Sequence, residues 1–132
     1  MLKGECLCRA VQFEVVDAFL YAAYCHCSRC RRRSGSAFTA FGGIELDKLT
    51  LRLGTEHVLK SEVSAFGYNA FCAKCLSRLY AVINNHQRVH VQLGSLIDTP
   101  SRKPDHHIQV ASKAPWHDIT DDLPQYAEFP PG

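Results

Sequence analysis

Val11, Phe13 and Val15 alternate with Gln12 and Glu14, the period of a strand with one face buried. A strand is therefore expected over Leu7–Val16. Leu20–Tyr24 is short and apolar and predicts a second strand that runs into a cysteine-rich loop. Ala37–Phe41 is strand-like, and Gly42-Gly43 is expected to break the chain behind it. Leu49, Leu51 and Leu53 alternate with Thr50 and Arg52 and stop at Gly54. Ala65–Phe71 is rich in aromatic residues and leads into Cys72. Leu79–Ile83 and Val89–Leu93 predict two more strands, joined by the turn-forming Asn84-Asn85-His86-Gln87. Ile108-Gln109-Val110 predicts a last short one.

Helix is expected only at Ser28–Ser34, for one or two turns, with Ser28 as N-cap. Gly35 would end it in the left-handed conformation. The tail from Pro115 holds Pro124, Pro130 and Pro131 and is expected to be extended, on the surface or docked over it. No segment repeats at a fixed period, and no linker divides the chain. The pattern predicts a mainly β fold of many short strands, in a single domain over residues 1–132.

Composition changes this picture little. A chain of 132 residues, 46% hydrophobic and 21% charged, matches an ordinary soluble domain with a real core. The first residues lack the apolar core of a signal peptide. The apolar run Ala18–Tyr24 is too short to span a bilayer. The expectation is a cytoplasmic protein without a membrane partner. The formal charge of +2 falls to −1 if all seven cysteines are thiolates on two divalent ions. That balance makes nucleic acid an unlikely partner; only Arg29, Arg31, Arg32 and Arg33 form a basic run.

The cysteines carry the chemistry. All seven lie in three clusters: Cys6 and Cys8; Cys25, Cys27 and Cys30; Cys72 and Cys75. An odd number without an export signal argues against a disulfide framework and for metal. Cys6 and Cys8 on one strand face, with the Cys72-Ala73-Lys74-Cys75 turn, supply four sulfurs for one tetrahedral zinc. The Zn–S bond of ~2.3 Å would hold those sulfurs about 3.8 Å apart. Four thiolates leave no open position, so this site is expected to be structural. A redox dithiol in the Cys72/Cys75 pair is the rival, but the chain lacks the βαβ alternation of a thioredoxin-like domain.

Cys25, Cys27 and Cys30 fall one ligand short of a closed tetrahedron. Spacing leaves two forms open. In one, the fourth position is free to take a small thiol or polarise an oxygen, as in catalytic zinc. In the other, a histidine closes it, and His86, His90, His106 and His107 are the candidates. His26, between two ligands, is expected to point away from their ion. Arg31 and Arg32 are candidates for holding a substrate carboxylate in bidentate fashion, or else form a solvated face. Tyr24 and Phe38 are expected to be core rather than base-stacking platforms.

With these motifs in order, the chain resembles the glutathione-dependent formaldehyde-activating enzyme family, also called the CENP-V domain family, with an Mss4-like fold. The resemblance rests on Gly4-Glu5-Cys6-Leu7-Cys8, on Cys25-His26-Cys27-Ser28-Arg29-Cys30-Arg31-Arg32 with Ser34-Gly35, and on Phe71-Cys72-Ala73-Lys74-Cys75. Pro104-Asp105-His106-His107-Ile108, Ser112-Lys113-Ala114-Pro115-Trp116 and Asp122-Leu123-Pro124-Gln125-Tyr126 extend it into the tail. It implies several short coiled antiparallel sheets and two zinc ions. The structural zinc would fall on Cys6, Cys8, Cys72 and Cys75, and the catalytic zinc, with an open position, on Cys25, Cys27 and Cys30. It also implies a carbon–sulfur lyase that joins glutathione, or a related small thiol, to a small carbonyl such as formaldehyde, giving S-(hydroxymethyl)glutathione. The alternative is a non-catalytic zinc module for nucleic acid or protein partners. Arg9 and Leu76 stand where the family usually has glycine, at the ends of two metal knuckles, and Asn69 and Ala70 stand where an arginine often precedes Phe-Cys.

Overall fold

Phe13 and Val15 point into the core from strand β2 (Gln12–Val15), while Gln12 and Glu14 stay partly exposed, as their alternation predicts. In the computed structural model, which describes residues 1–131, β2 pairs on one side with β1 (Leu2–Glu5). On the other it pairs with β5 (Leu49–Leu53), completing a three-stranded antiparallel sheet. The remaining strands are β3 (Tyr21–Cys25), β4 (Thr39–Glu45), β6 (Val58–Ser61), β7 (Tyr68–Cys72), β8 (Arg78–Ile83), β9 (Arg88–Gln92) and β10 (His107–Ile108). They form a second sheet in the order β10-β3-β4-β9-β8-β7-β6. Its pairs are antiparallel, except that β10 runs parallel to β3. Helix α1 (Ser28–Ser34) is the one α-helix among the described residues. None of them forms a helix long and apolar enough to cross a membrane. The fold is mainly β, in keeping with the Mss4-like expectation.

The two sheets enclose the main core. Leu2, Phe13 and Val15 of the smaller sheet join Ile44, Leu79, Val82, Val89 and Val91 of the larger in one buried cluster. Each such side chain contributes roughly 1.5–3 kcal/mol by leaving water. The opposite face of the large sheet has a different character. Register pairs Phe41 with Gln92, and His90 with both Gly43 and Ala81, so polar and aromatic side chains stand together there.

Three expectations need correction. Leu7–Val11 is a turn rather than part of a strand, because the Cys6–Cys8 segment folds back on itself with Arg9 at φ 65°. Gly42-Gly43 does not break β4; the strand runs through it. The glycines make room for rings. A Cβ on Gly42 would lie 2.7 Å from the Phe19 ring, and one on Gly43 would lie 2.3 Å from the Tyr21 ring. Ser28 is not the N-cap of α1; Cys27 is, its Sγ accepting the Cys30 N–H at 3.2 Å. Gly35 does end the helix in the left-handed conformation, at φ 66°. Strands β1 and β6 have no counterpart among the expected elements, since Leu2-Lys3-Gly4-Glu5 and Val58-Leu59-Lys60-Ser61 carry little apolar pattern of their own.

The tail is docked. Backbone N–H groups of His107, Gln109, Val110 and Ala111 donate to the carbonyls of Pro124, Glu128, Tyr126 and Ala127.

Gly43→Ala is expected to lower stability by about 1–3 kcal/mol, the usual cost of overpacking. Chemical denaturation of the metal-loaded protein checks this, and an unchanged midpoint would show that the Tyr21 ring moves aside freely.

Candidate metal centre

The first centre joins a loop to a hairpin. Cys6 and Cys8 bracket the turn after β1, and Cys72 and Cys75 bracket the turn between β7 and β8. All four sulfurs lie within 4.8 Å of one another. The Cys6–Cys8 separation is 3.7 Å and Cys8–Cys72 is 3.8 Å, the edge of a tetrahedron with Zn–S bonds of ~2.3 Å. Donors surround the sulfurs as negative thiolates require. The Val11 N–H reaches Cys6 at 3.3 Å, the Lys74 N–H reaches Cys72 at 3.4 Å, and the Ser77 hydroxyl lies 3.1 Å from Cys75. That hydroxyl, ahead of other hydrogen bonds, draws the Cys75 thiol down to about 5. Spacing, donor type and polarity all fit a closed all-sulfur metal site.

Both knuckles end in the left-handed region without glycine. Arg9 has φ 65° and Leu76 has φ 64°. Such a conformation costs an ordinary L residue about 1–2 kcal/mol, and Leu76 adds an exposed apolar side chain.

The second centre lies where β3 enters α1. Cys25 ends the strand, paired with Thr39 of β4 and Ile108 of β10. Cys27 caps the helix and Cys30 sits in its first turn. Their three sulfurs lie within 4.8 Å of one another, and among the described residues no histidine or carboxylate joins them. The four candidate histidines are engaged elsewhere. His90 Nε2 lies 2.7 Å from the Tyr21 hydroxyl, His86 Nε2 lies 3.2 Å from the Ser64 carbonyl, and His106 Nδ1 lies 2.6 Å from Asp105. His107 bridges His26 at 2.8 Å and Asp121 at 3.0 Å. By themselves the thiols divide a proton unequally. The Cys25 hydrogen bond, assisted by Thr39, Cys27 and the Arg78 charge, draws Cys30 down to about 4. The same bond and burial push Cys25 far up. A divalent cation would let all three ionise, so these residues also fit a metal, with a coordination position left over.

His26 is fully buried and turned from the sulfurs into a stack of rings with Phe38, His107 and His117. Burial and the neighbouring His107 lower its imidazole to about 4. Tyr24 packs edge-on to Phe38 in the same stack, at 5.2 Å. The Asp121–His107–His26 chain thus anchors the docked tail to the cysteine loop.

A cleft of about 430 Å³ opens over Cys25, Cys27 and Cys30. Arg29, Arg78, His90 and Gln92 line it together with Phe41 and Phe129. Burial, with Arg88 and Arg78 nearby, lowers His90 to about 4, so its ring is uncharged at neutral pH. Arg31 and Arg32 are not among the lining residues; Arg31 donates to the Ser112 carbonyl and Arg32 to that of Ser28. Arg29 and Arg33 both reach the Glu62 carboxylate. Arg78 and Gln92 join the site without a motif in the sequence to mark them, while His90, a candidate fourth ligand, lines the cleft without joining the sulfurs. They come from β8 and β9, and only the three-residue step from Cys75 to Arg78 hints at any of them.

Comparison with known proteins gives the family to which the chain is similar. A family model described as glutathione-dependent formaldehyde-activating enzyme matches residues 1–112. A curated protein of Halomonas elongata, named "Putative glutathione-dependent formaldehyde-activating enzyme", is 29% identical over 128 residues, covering 90% of this chain and 81% of that protein. An "Uncharacterized lyase" of Schizosaccharomyces pombe is 30% identical over 83 residues, covering 63% of this chain and 58% of that one. The crystal structure of a Rhodobacter sphaeroides protein superimposes with a TM-score of 0.61 at 26% identity, over 76% of this chain and 92% of that one.

Leu76→Gly is expected to raise stability by about 0.5–1 kcal/mol, since relief of the left-handed strain exceeds the added entropy of the unfolded chain. Denaturation of the metal-loaded protein measures it, and a fall in midpoint would mean that the Leu76 side chain has a packing role. A strong chelator, or Cys72→Ser, is expected to abolish cooperative unfolding, because metal affinity at a closed site is folding free energy; retained cooperativity would show that the fold does not need this metal.

Proposed function

Because this chain belongs to the glutathione-dependent formaldehyde-activating enzyme family, we propose that it is a zinc-dependent carbon–sulfur lyase that adds a small thiol, glutathione or a relative, to a small carbonyl such as formaldehyde, or reverses that addition. The observation that carries this reading is the three-sulfur cluster of Cys25, Cys27 and Cys30 at the floor of an open cleft, without a fourth ligand from the described chain. Cys25, Cys27 and Cys30 would hold the zinc, which would supply an open position that lowers the pKa of an incoming thiol. In the net reaction the thiol sulfur bonds to the carbonyl carbon, and the thiol hydrogen ends on the carbonyl oxygen.

The chain's own residues do the rest. Cys6, Cys8, Cys72 and Cys75 hold a structural zinc that fixes the β7–β8 hairpin, from which the cleft wall rises. The Asp121–His107–His26 chain keeps the cysteine loop in place from behind. Phe41 and Phe129 make the cleft partly apolar, which limits water at the reacting sulfur. The uncharged His90 ring offers a hydrogen-bonding edge without placing a second cation there. Residues 1–132 act in this reading as one zinc-binding domain. The rival reading, a module for nucleic acid or protein, gains nothing from the arginine run, whose guanidinium groups contact Glu62, Ser28 and Ser112.

Metal analysis of purified protein is expected to give two zinc ions per chain, falling to one in Cys27→Ser with the fold intact. Calorimetric titration is expected to show glutathione binding to the parent and none to the variant. A parent with two zinc ions that binds no glutathione would overturn the thiol-addition reading.

A further inference from the structure

Register places Tyr21 of β3, Gly43 of β4 and His90 of β9 in one row across the large sheet. Neighbouring strands lie about 4.8 Å apart, so the backbones of Tyr21 and His90 are roughly 10 Å from each other. A side chain on the middle strand would keep two such residues apart. The middle residue is glycine, and the Tyr21 ring lies over it, where a Cβ would come within 2.3 Å. The Tyr21 hydroxyl thereby reaches His90 Nε2 at 2.7 Å, and the two rings meet edge to face. Phe41 stacks on the His90 ring with centroids 4.4 Å apart. Phe41 also packs in one cluster with Cys25, Cys27 and Cys30, so a single side chain joins the His90 ring to the sulfurs.

The direction of hydrogen bonding along this row follows from its outer member. Arg88 Nη1 lies 3.5 Å from the Tyr21 oxygen, and arginine can only donate. The phenol oxygen accepts there, and its O–H is free to donate to His90 Nε2. Burial keeps the His90 ring uncharged at neutral pH, so it carries one hydrogen, which this arrangement puts on Nδ1. Nδ1 has no protein partner among the described residues and is not one of the nitrogens shut from water. His90 lines the cysteine cleft, so that Nδ1–H is available to a ligand there.

We propose that His90 is a catalytic residue of the cysteine cleft, donating its Nδ1–H to the carbonyl oxygen of the substrate, with Tyr21 and Arg88 as the positioning residues that fix its tautomer. The proposal rests on the thiol-addition reading above and adds the group that meets the carbonyl. As a sulfur electron pair forms the S–C bond, the π pair of the carbonyl moves onto oxygen. The proton given up by the thiol reaches that oxygen through water in the cleft. His90 keeps its own hydrogen and stabilises the charge that builds up before the proton arrives. A donor already held in place does this without reorganising. Two other donors of the cleft are less free to do so. Arg29 is engaged by Glu62, and Arg78 gives Nη2 to Asn69 while its Nε and Nη1 are closed to solvent.

The first test needs no substrate. Long-range proton–nitrogen correlation NMR of the two-zinc parent is expected to show His90 protonated on Nδ1. Tyr21→Phe is expected to shift it towards Nε2, and a parent already protonated on Nε2 would overturn the proposal. The second test follows the reaction of glutathione with formaldehyde by exchange NMR. His90→Phe keeps the stack on Phe41 and removes the donor. It is expected to lower kcat about 100-fold, with KM for glutathione changed by less than about twofold. His90→Gln restores an N–H and is expected to recover part of the loss, while Tyr21→Phe is expected to lose about tenfold in kcat. Metal content and thermal midpoint show whether each variant is folded. If His90→Phe does not fold, the tautomer of the parent and the kcat of Tyr21→Phe decide. An active parent with kcat unchanged in His90→Phe would overturn the proposal and leave thiol addition standing. A two-zinc parent that accelerates nothing would overturn thiol addition and the role of His90 with it.

Discussion

Four sulfurs drawn from two distant loops set the frame of this protein. Cys8 and Cys72 are 64 residues apart in the chain and 3.8 Å apart in space. Four thiolates at that distance repel one another strongly unless a cation sits among them. The site thus ties the turn after β1 to the turn between β7 and β8, and with them the small sheet to the large one. The rest of the molecule depends on that tie, because the two sheets share one core and the hairpin it fixes carries Arg78.

The large sheet separates two kinds of work by its two faces. One face presents Val82, Val89, Val91 and Ile44 to the small sheet and stabilises the fold. The other presents His90 and Gln92 to the cysteine cleft. Strand alternation makes this possible in a chain of only 132 residues, since each strand serves both faces at once. The cysteine loop, at the end of β3, is held from the front by β4 and from behind by β10 and the docked tail. The Asp121–His107–His26 chain turns the tail from a surface strap into part of the loop's support.

Departures from local preference gather at the same places. Arg9 and Leu76 occupy left-handed positions that glycine would fill without strain. Each directly follows a cysteine of the four-sulfur cluster and donates its N–H to the carbonyl of Cys6 or Cys72, so the surrounding turn over-determines it. Gly42 and Gly43, poor strand residues by themselves, persist in β4 because Phe19 and Tyr21 lie over them. The helix N-cap, ordinarily a serine, is Cys27, whose sulfur both accepts the Cys30 N–H and belongs to the three-sulfur cluster.

The seven metal-binding candidates were legible in the chain itself, since close spacing along a loop is what brings sulfurs to one ion. So were the alternating strands around Phe13, Leu51 and Val89, and the helix over Ser28–Ser34 with its stop at Gly35, because short-range sterics and solvent exposure set them. The pairing of Cys6 and Cys8 with Cys72 and Cys75 was inferred from ligand count and became geometry only on folding. Other features had no local signature at all. The strand through Gly42-Gly43 depends on rings arriving from β3 and the segment before it. The turn at Leu7–Val11 depends on the cysteine knuckle, whose backbone bonds to Cys6 override the strand pattern that follows. Arg78, His90 and Gln92 meet the cysteine cluster only because β9 lies next to β4 in the sheet and β8 next to β9. Local spacing specifies which groups can bind a metal; the long-range register of the sheet specifies what else faces it.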